Sequence, residues 1–170
     1  MKKFIPVFLG ICFIMAAQAP DNRTIILEQF SRTQGDWDGY LEYTVGDNKT
    51  KMALPAKCTT KFDGEVWDYK VQYDEGNGEV IGGGGEFRVN EEGTKLDNNG
   101  IIWNIIEVAL TGDSAKVIME TPGKDNKKKA MLRRTFEVTS ATFSILEEVR
   151  YIKEGEYFER NKHHFRTKRK

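Results

Sequence analysis

The chain has 170 residues, with 26 basic and 26 acidic side chains and a formal net charge of zero. General nucleic-acid-binding proteins usually carry a basic excess, so this balance argues against that class and no nucleic-acid partner is expected. The length suits one ordinary domain with a hydrophobic core.

The first 19 residues have the three parts of a secretory signal peptide. Lys2 and Lys3 form the basic start, residues 4–15 are mostly apolar, and Ala17-Gln18-Ala19 has the small-x-small pattern of a cleavage site. The apolar run is shorter than the ~20 residues of a spanning helix, and no second run of that length follows. We therefore expect an exported protein, periplasmic or secreted. Its residues 20–170 are expected to form a single domain without a transmembrane segment.

Only one cysteine, Cys58, follows the predicted cleavage site. An exported chain with a single thiol forms no internal disulfide, so its core must hold the fold unaided. We expect Cys58 to be a small buried side chain, with a reactive or intermolecular thiol as the alternative. Cys12 raises the alternative of a lipoprotein signal, although Ile11 precedes it where such signals have a small residue.

The folded part is predicted to begin with a short helix over residues 21–33. Asp21 or Asn22 would cap it, and its apolar face would comprise Ile25, Ile26, Gln29 and Phe30. After Gly35, short alternating runs are separated by Gly, Asn and Asp clusters, which is typical of an antiparallel meander. The predicted strands are 37–45, 50–54, 56–62, 66–73, 86–90, a short piece near Leu96, 101–110, 115–121, 130–139, 142–152 and 156–165.

These elements predict an all-β fold: an up-and-down antiparallel β-barrel of about 9–10 strands with a short N-terminal helix. Closure into a barrel removes the open edges of such a sheet, and a two-sheet sandwich is the alternative. Pro55 is expected to end a strand, because it has no amide hydrogen to donate. Residues 101–110 are apolar enough to be helical. Six basic residues within 160–170 favour a solvated extension at the C-terminus.

The segment Gly35-Asp36-Trp37-Asp38-Gly39 opens the first predicted strand. It resembles the Gly-x-Trp signature of lipocalins and of the wider group of lipocalin-like, calycin-type barrels. The resemblance implies that Trp37 lies at the closed end of the barrel and that a basic residue of the last strand packs across its indole. Arg160 is the candidate, and a guanidinium so placed contributes roughly 1–2 kcal/mol. The chain lacks a disulfide pair and the other usual lipocalin motifs, so it looks most like an exported bacterial lipocalin-like barrel.

Period-two alternation predicts which side chains face the barrel interior. The predicted ligand-binding residues are Tyr43, Trp67, Tyr69, Tyr73, Arg134 and Glu147. The aromatic groups would form a pocket for a small hydrophobic or amphipathic molecule, and the alternative is that they simply fill a small barrel. Arg134 and Glu147 lie on inward faces of neighbouring strands and are interpreted as an ion pair, with Arg134 as a carboxylate anchor the alternative.

His163 and His164 are adjacent on a strand, so only one of them could enter the barrel. We interpret both as solvated. Haem ligation is the alternative, as in the haem-binding barrels called nitrobindins, which also open with a Gly-x-Trp-x-Gly pattern. Two histidines without nearby Cys or carboxylate spacing make no zinc site, so neither a metal nor a cofactor is expected.

A run of four glycines and a lysine-rich segment are interpreted as structural features without a ligand. The glycines at 82–85 have no following Lys-Ser/Thr and no helix, which favours a flexible hairpin or bulge over a phosphate-binding loop. Residues 124–129 form a basic loop, for which weak attraction to anionic lipid or polysaccharide is the alternative to simple solvation.

No catalytic motif is present in the sequence: there is no Gly-x-Ser-x-Gly, no His-Glu-x-x-His and no cysteine with a local histidine. We therefore expect no enzyme and no catalytic residues. The expected function is an exported binding protein that holds a small hydrophobic or amphipathic molecule, without chemistry. The alternatives are an envelope interaction module with a filled barrel, or a haem-binding barrel.

Overall fold

A computed structural model describes residues 21–45, 50–76, 80–153 and 155–167, so the predicted signal peptide lies outside the described residues. The described residues form one helix and ten strands. These are α1 (Asn22–Arg32), β1 (Gly35–Val45), β2 (Thr50–Phe62), β3 (Val66–Asp74), β4 (Val80–Val89), β5 (Lys95–Asn98), β6 (Ile101–Thr111), β7 (Ser114–Asp125), β8 (Lys128–Val138), β9 (Thr142–Tyr151) and β10 (Phe158–Thr167).

The strands form a closed antiparallel barrel in which each strand pairs with the next and β10 pairs with β1. In the closing ladder, Trp37 lies opposite Thr167 and Tyr43 lies opposite Asn161. The predicted all-β, up-and-down barrel with a short N-terminal helix is confirmed, and the sandwich alternative is wrong. The apolar run at 101–110 is strand β6 and not a helix.

Helix α1 covers one end of the barrel, which we call the closed end; the opposite end is the open end. Asp21 begins the helix, because its Oδ1 accepts a hydrogen bond from the Thr24 amide at 2.8 Å. Phe30 enters the barrel, where its ring stacks on Trp67 at 5.2 Å and meets Phe136 edge-on at 5.8 Å. Arg32 donates to the Asp113 carbonyl oxygen in the β6–β7 turn. The helix is thus fixed by aromatic burial at one point and by polar contacts at both ends.

The two glycines of the Gly-x-Trp-x-Gly segment are required by the backbone. Gly35 has φ +127°, a conformation that side chains with a Cβ rarely adopt. A Cβ at Gly39 would overlap the carbonyl oxygen of His164 on β10. Trp37 is buried at the closed end, as the resemblance implied, and its Nε1 donates to the Thr33 carbonyl oxygen at 2.8 Å.

The predicted stacking of Arg160 on Trp37 is wrong. Because β10 runs antiparallel to β1, Arg160 lies near the start of β10 at the open end of the barrel. Its Nε pairs with Asp125 Oδ1 at 3.3 Å. Trp37 is instead covered by Phe143, whose ring meets it edge-on at 4.9 Å.

Several strand boundaries differ from the predictions. Strand β4 begins at Val80 and not at residue 86, and β7 continues to Asp125 where residue 121 was expected to end it. Strand β2 continues through Pro55. Pairing of β2 with β3 begins only at Ala56, so the amide hydrogen that Pro55 lacks is not needed within that ladder. Strand β10 extends to Thr167, where a solvated extension was expected, because the edge of β1 pairs with it. Residues 168–170 lie outside the described residues.

Cys58 is a buried core side chain, as predicted, and burial raises the pKa of its thiol to about 12. No described helix combines the length and apolar character needed to cross a membrane.

Thr33 links the helix to the aromatic core. Its hydroxyl donates to the Phe30 carbonyl oxygen at 2.9 Å and accepts from Trp67 Nε1 at 2.8 Å. We expect Thr33→Val to lower the free energy of unfolding by about 1–2 kcal/mol, because it leaves a buried indole N–H without an acceptor. Urea denaturation measures this. Thr59→Val makes the same change at an exposed hydroxyl and should stay within about 0.5 kcal/mol of the wild type; equal losses would contradict the assignment.

Candidate ligand-binding site

Aromatic rings fill the closed half of the barrel. Trp67 is fully buried between Phe30 and Tyr69, with Phe87 also in contact at 5.3 Å. The void among these rings and their neighbours is about 10 Å³, which is room for roughly one water molecule. Trp67, one of the predicted ligand-binding residues, therefore belongs to the solid core of the closed half.

Polar side chains occupy the next layer of the interior. Arg134 on β8 lies opposite Glu147 on β9, and the predicted ion pair forms through two guanidinium nitrogens, with Nε 3.0 Å from Oε1. Arg134 also donates to Asn98 Oδ1 at 3.0 Å, and Asn161 donates to the other Glu147 oxygen at 2.9 Å. The guanidinium lies 4.5 Å from the centre of the Trp103 ring.

The ion pair is electrically balanced at neutral pH. Burial by itself raises the pKa of Glu147, but the Arg134 charge and the hydrogen bonds from Asn161 and Arg134 outweigh it, so the pKa lies below its ordinary value. Glu147 is therefore ionised and neutralises Arg134. A ligand carboxylate would have to displace Glu147 to reach the guanidinium, so this layer favours an uncharged polar group.

His163 faces the same interior, so the expectation of two solvated histidines is wrong for this residue. Its Nε2 lies 2.6 Å from the Tyr73 hydroxyl, and its ring stacks on Phe165 at 6.0 Å. Burial lowers the pKa of His163 to about 4, and burial raises that of Tyr73 to about 12, so both groups are neutral at pH 7. His164 alternates to the outer wall, where its ring lies 5.5 Å from Tyr40.

Three polar atoms of this interior are buried without a hydrogen-bond partner in the described part of the protein: Trp103 Nε1, Asn161 Oδ1 and His163 Nδ1. An unsatisfied buried donor or acceptor costs about 1–3 kcal/mol. These atoms come from β6 and β10, and they combine donors and acceptors. They can therefore bind a molecule that carries its own hydrogen-bonding groups.

The barrel wall has a gap beside this layer, which we call the lateral slot. Strand β4 pairs with β5 only over Phe87–Val89, which leaves its part Val80–Gly85 with β3 alone as a neighbour among the described strands. On the other side of the slot, the pairing of β6 with β7 begins at Asn104. Among the described residues, the part of β7 that follows Thr121 therefore has no partner on β6. A Cβ at Gly83 would lie 3.9 Å from the Tyr73 ring.

The glycines at 82–85 form regular strand, so the expected flexible hairpin or bulge is wrong.

Five of the six predicted site residues surround the open half of the interior or its floor. Arg134, Glu147 and Tyr73 belong to the polar layer, and Tyr69 stacks on Phe87 at 5.5 Å below it. Burial raises the pKa of Tyr69. Tyr43 lies nearer the open end, with its hydroxyl 3.9 Å from the Met52 sulfur.

Sequence reasoning missed four polar or aromatic residues of the site: Asn98, Trp103, Asn161 and His163. The signal for two of them was available, because alternation from Phe165 places His163 and Asn161 on one face. The interpretation of both histidines as solvated hid this signal, although the predicted strand 156–165 includes them. No group of three or more metal-ligating side chains comes together within the described ranges.

The comparisons with known proteins concern the fold. No family model and no curated protein matches the chain. Among solved structures, the chain is similar to the crystal structure of Rv2717c from M. tuberculosis. That likeness has a TM-score of 0.61 and 15% sequence identity, and it covers 84% of this chain and 97% of that chain.

The two proteins share a barrel. At this identity, the likeness shows the fold alone, and it extends over nearly the whole of the other chain. Membership of the lipocalin-like group, suggested by the residues at 35–39, stays a prediction.

Proposed function

We propose that the chain is an exported binding protein that holds a small amphipathic molecule in the open half of its barrel, without chemistry. The observation that carries this proposal is the set of three buried, unpartnered polar atoms, on Trp103, Asn161 and His163. They lie above an aromatic floor and beside the lateral slot. A ligand with one polar group and an apolar body would form hydrogen bonds with the unpartnered polar atoms, and its apolar body would cover the aromatic floor and the lateral slot.

The charges of the site favour an uncharged polar group on that ligand. Arg134 and Glu147 neutralise each other, and His163 is neutral at pH 7. A hydroxyl or amide group can donate and accept without disturbing this balance. A charged group would lose hydration and find no unpaired opposite charge in this layer.

The first experiment is native mass spectrometry on the protein purified gently from an exporting host. We expect an additional mass that is lost on denaturation. The second is fluorescence titration with the uncharged probe N-phenyl-1-naphthylamine, followed by displacement. We expect 1-dodecanol to displace the probe about tenfold more effectively than dodecanoate, which corresponds to about 1.4 kcal/mol.

Two adjacent substitutions provide a matched control. Asn161 faces the interior and Lys162 the outer wall, so Asn161→Ala should weaken dodecanol binding about tenfold, whereas Lys162→Ala should leave it within twofold. Circular dichroism checks that both variants fold. A barrel with no displaceable mass and no saturable probe binding would contradict the proposal and favour the filled interaction module.

Haem binding is the second candidate, because His163 does lie inside the barrel with Nδ1 unpartnered. The residues as placed do not fit a haem, since the Tyr73 hydroxyl occupies Nε2 and the Phe165 ring stacks on the imidazole. A hemin titration separates the candidates: a Soret band that disappears in His163→Ala would support haem. We expect no such band.

A further inference from the structure

The open end of the barrel carries a group of exposed lysines. They project from the β7–β8 turn and from the β9–β10 connection, and we call them the lysine rim: Lys124, Lys127, Lys128, Lys129 and Lys153. The turn is tight, with positive φ at Asn126 and Lys127, so these side chains project from strand ends and not from a long loop. Nearby Asp125 does not neutralise them, because it pairs with Arg160 and accepts from Tyr151.

An apolar residue lies at the centre of this rim. Ile152 is 70% exposed, which is high for so large an aliphatic side chain. A concavity of about 470 Å³ lies between it, Tyr151 and three lysines of the rim. Lys128 Nζ lies 5.0 Å from the Tyr151 ring centre, so one wall of the concavity is itself a cation over an aromatic face.

Most of the other large apolar side chains that the described residues leave exposed also lie toward the open end. They are Met52, Val80, Ile81, Ile101, Ile102 and Phe158. Ile101 and Ile102 follow the β5–β6 turn at the edge of the lateral slot, and Val80 and Ile81 begin the strand on its other side. Apolar groups and lysines therefore share one end of the molecule.

We propose that the open end docks on an anionic phospholipid bilayer. Lysine ammonium groups would contact lipid phosphates, and Ile152 would enter the interfacial region together with Phe158, whose ring lies 5.5 Å from that of Tyr151. Basic residues near an anionic surface contribute about 1 kcal/mol each, and buried apolar area adds to this. The chain has equal numbers of acidic and basic residues, so its net charge does not attract it to an anionic membrane. The attraction must come from the clustering of lysines in the rim.

The docking is confined to one sector of the open end. Asp74 and Glu75, at the end of β3, lie across the barrel from the β7–β8 turn, and Glu156 follows the rim in the β9–β10 connection. These carboxylates would tilt the barrel so that the lysine side contacts the membrane. The proposal goes beyond ligand binding, because docking needs no occupied interior.

The test is co-sedimentation of the mature chain with vesicles of phosphatidylglycerol and phosphatidylcholine, compared with vesicles of phosphatidylcholine alone. We expect binding only to the anionic vesicles, and we expect it to weaken as sodium chloride rises from roughly 0.05 to 0.5 M, because salt screens surface charge. The variant Lys124→Gln/Lys127→Gln/Lys129→Gln should bind at least about tenfold more weakly. Ile152→Ser should weaken binding without changing its salt dependence.

A second triple variant is matched in charge. Lys57→Gln/Lys61→Gln/Lys70→Gln removes three exposed lysines from the outer walls of β2 and β3, away from the rim. We expect it to bind anionic vesicles like the wild type. Equal weakening in both triple variants would show that total charge governs binding and would overturn the proposal, as would absence of wild-type binding at low salt. Circular dichroism establishes folding, and the naphthylamine titration reports separately on the interior.

Discussion

Arg134→Met is expected to lower the free energy of unfolding by about 2–3 kcal/mol. The substitution keeps an unbranched stem but removes the guanidinium, which leaves the Glu147 carboxylate inside the barrel without its cation. Breaking a fully buried pair costs about 3–5 kcal/mol, and the value here is smaller because the Glu147 side chain remains 31% exposed. Urea denaturation at pH 7 measures the loss.

Two controls separate the missing charge from the altered shape. The double variant Arg134→Met/Glu147→Met removes both charges and should recover most of the lost stability, because it leaves no uncompensated ion. Arg133→Met removes the neighbouring guanidinium on the outer wall; its partner Glu120 keeps the hydrogen bond from the Tyr157 hydroxyl at 2.8 Å, so we expect a cost of about 1 kcal/mol or less. If the double variant is no more stable than Arg134→Met, then packing and not charge determines the cost.

Acidification from pH 7 to pH 4 is expected to remove about 2–3 kcal/mol of stability through His163 alone. Its folded pKa is about 4 and its ordinary value is 6.5, because burial opposes the charged form, with Glu147 opposing and Arg134 adding to that shift. Between these values the unfolded chain binds more protons than the folded one, so stability falls as the pH falls. Above 6.5 and below 4 this residue contributes no slope.

The measurement is the urea midpoint as a function of pH for the wild type and for His163→Gln. Carboxylates titrate in both proteins, so the difference between the curves isolates the histidine. We expect that difference to develop between pH 6.5 and 4. Parallel curves for the wild type and His163→Gln would show that His163 has the same pKa in the folded and unfolded chains, which would contradict the prediction.

The sequence predicts the meander well because its turns have strong local signals. Asp63-Gly64 and Asn99-Gly100 join strands in the structure, with φ +107° at Gly64 and +85° at Gly100. The Arg134–Glu147 pair was also predictable. The two residues alternate inward on neighbouring strands, and a buried charge requires a partner.

Long-range pairing was not predictable in the same way. The residues of β10 before Phe165 are mostly polar, so the strand is predicted at 156–165 but its register against β1 is not. Without that register, Arg160 can be assigned to the wrong end of the barrel, and only alternation from Phe165 indicates that His163 faces inward. The bulge between Glu159 and Asn161 further changes which residues of β10 face inward.

The pairing of β1 with β10 also constrains the order in which the protein can fold. Every other ladder joins strands that are consecutive in the chain, so hairpins can form locally as their residues become available. The closing ladder joins residue 37 to residue 167. Forming a contact between such distant residues costs more chain entropy than any hairpin, which makes closure the expected slow step. The barrel cannot be completed until β10 is available to pair, and a chain that lacks residues 158–167 would leave the edge of β1 open.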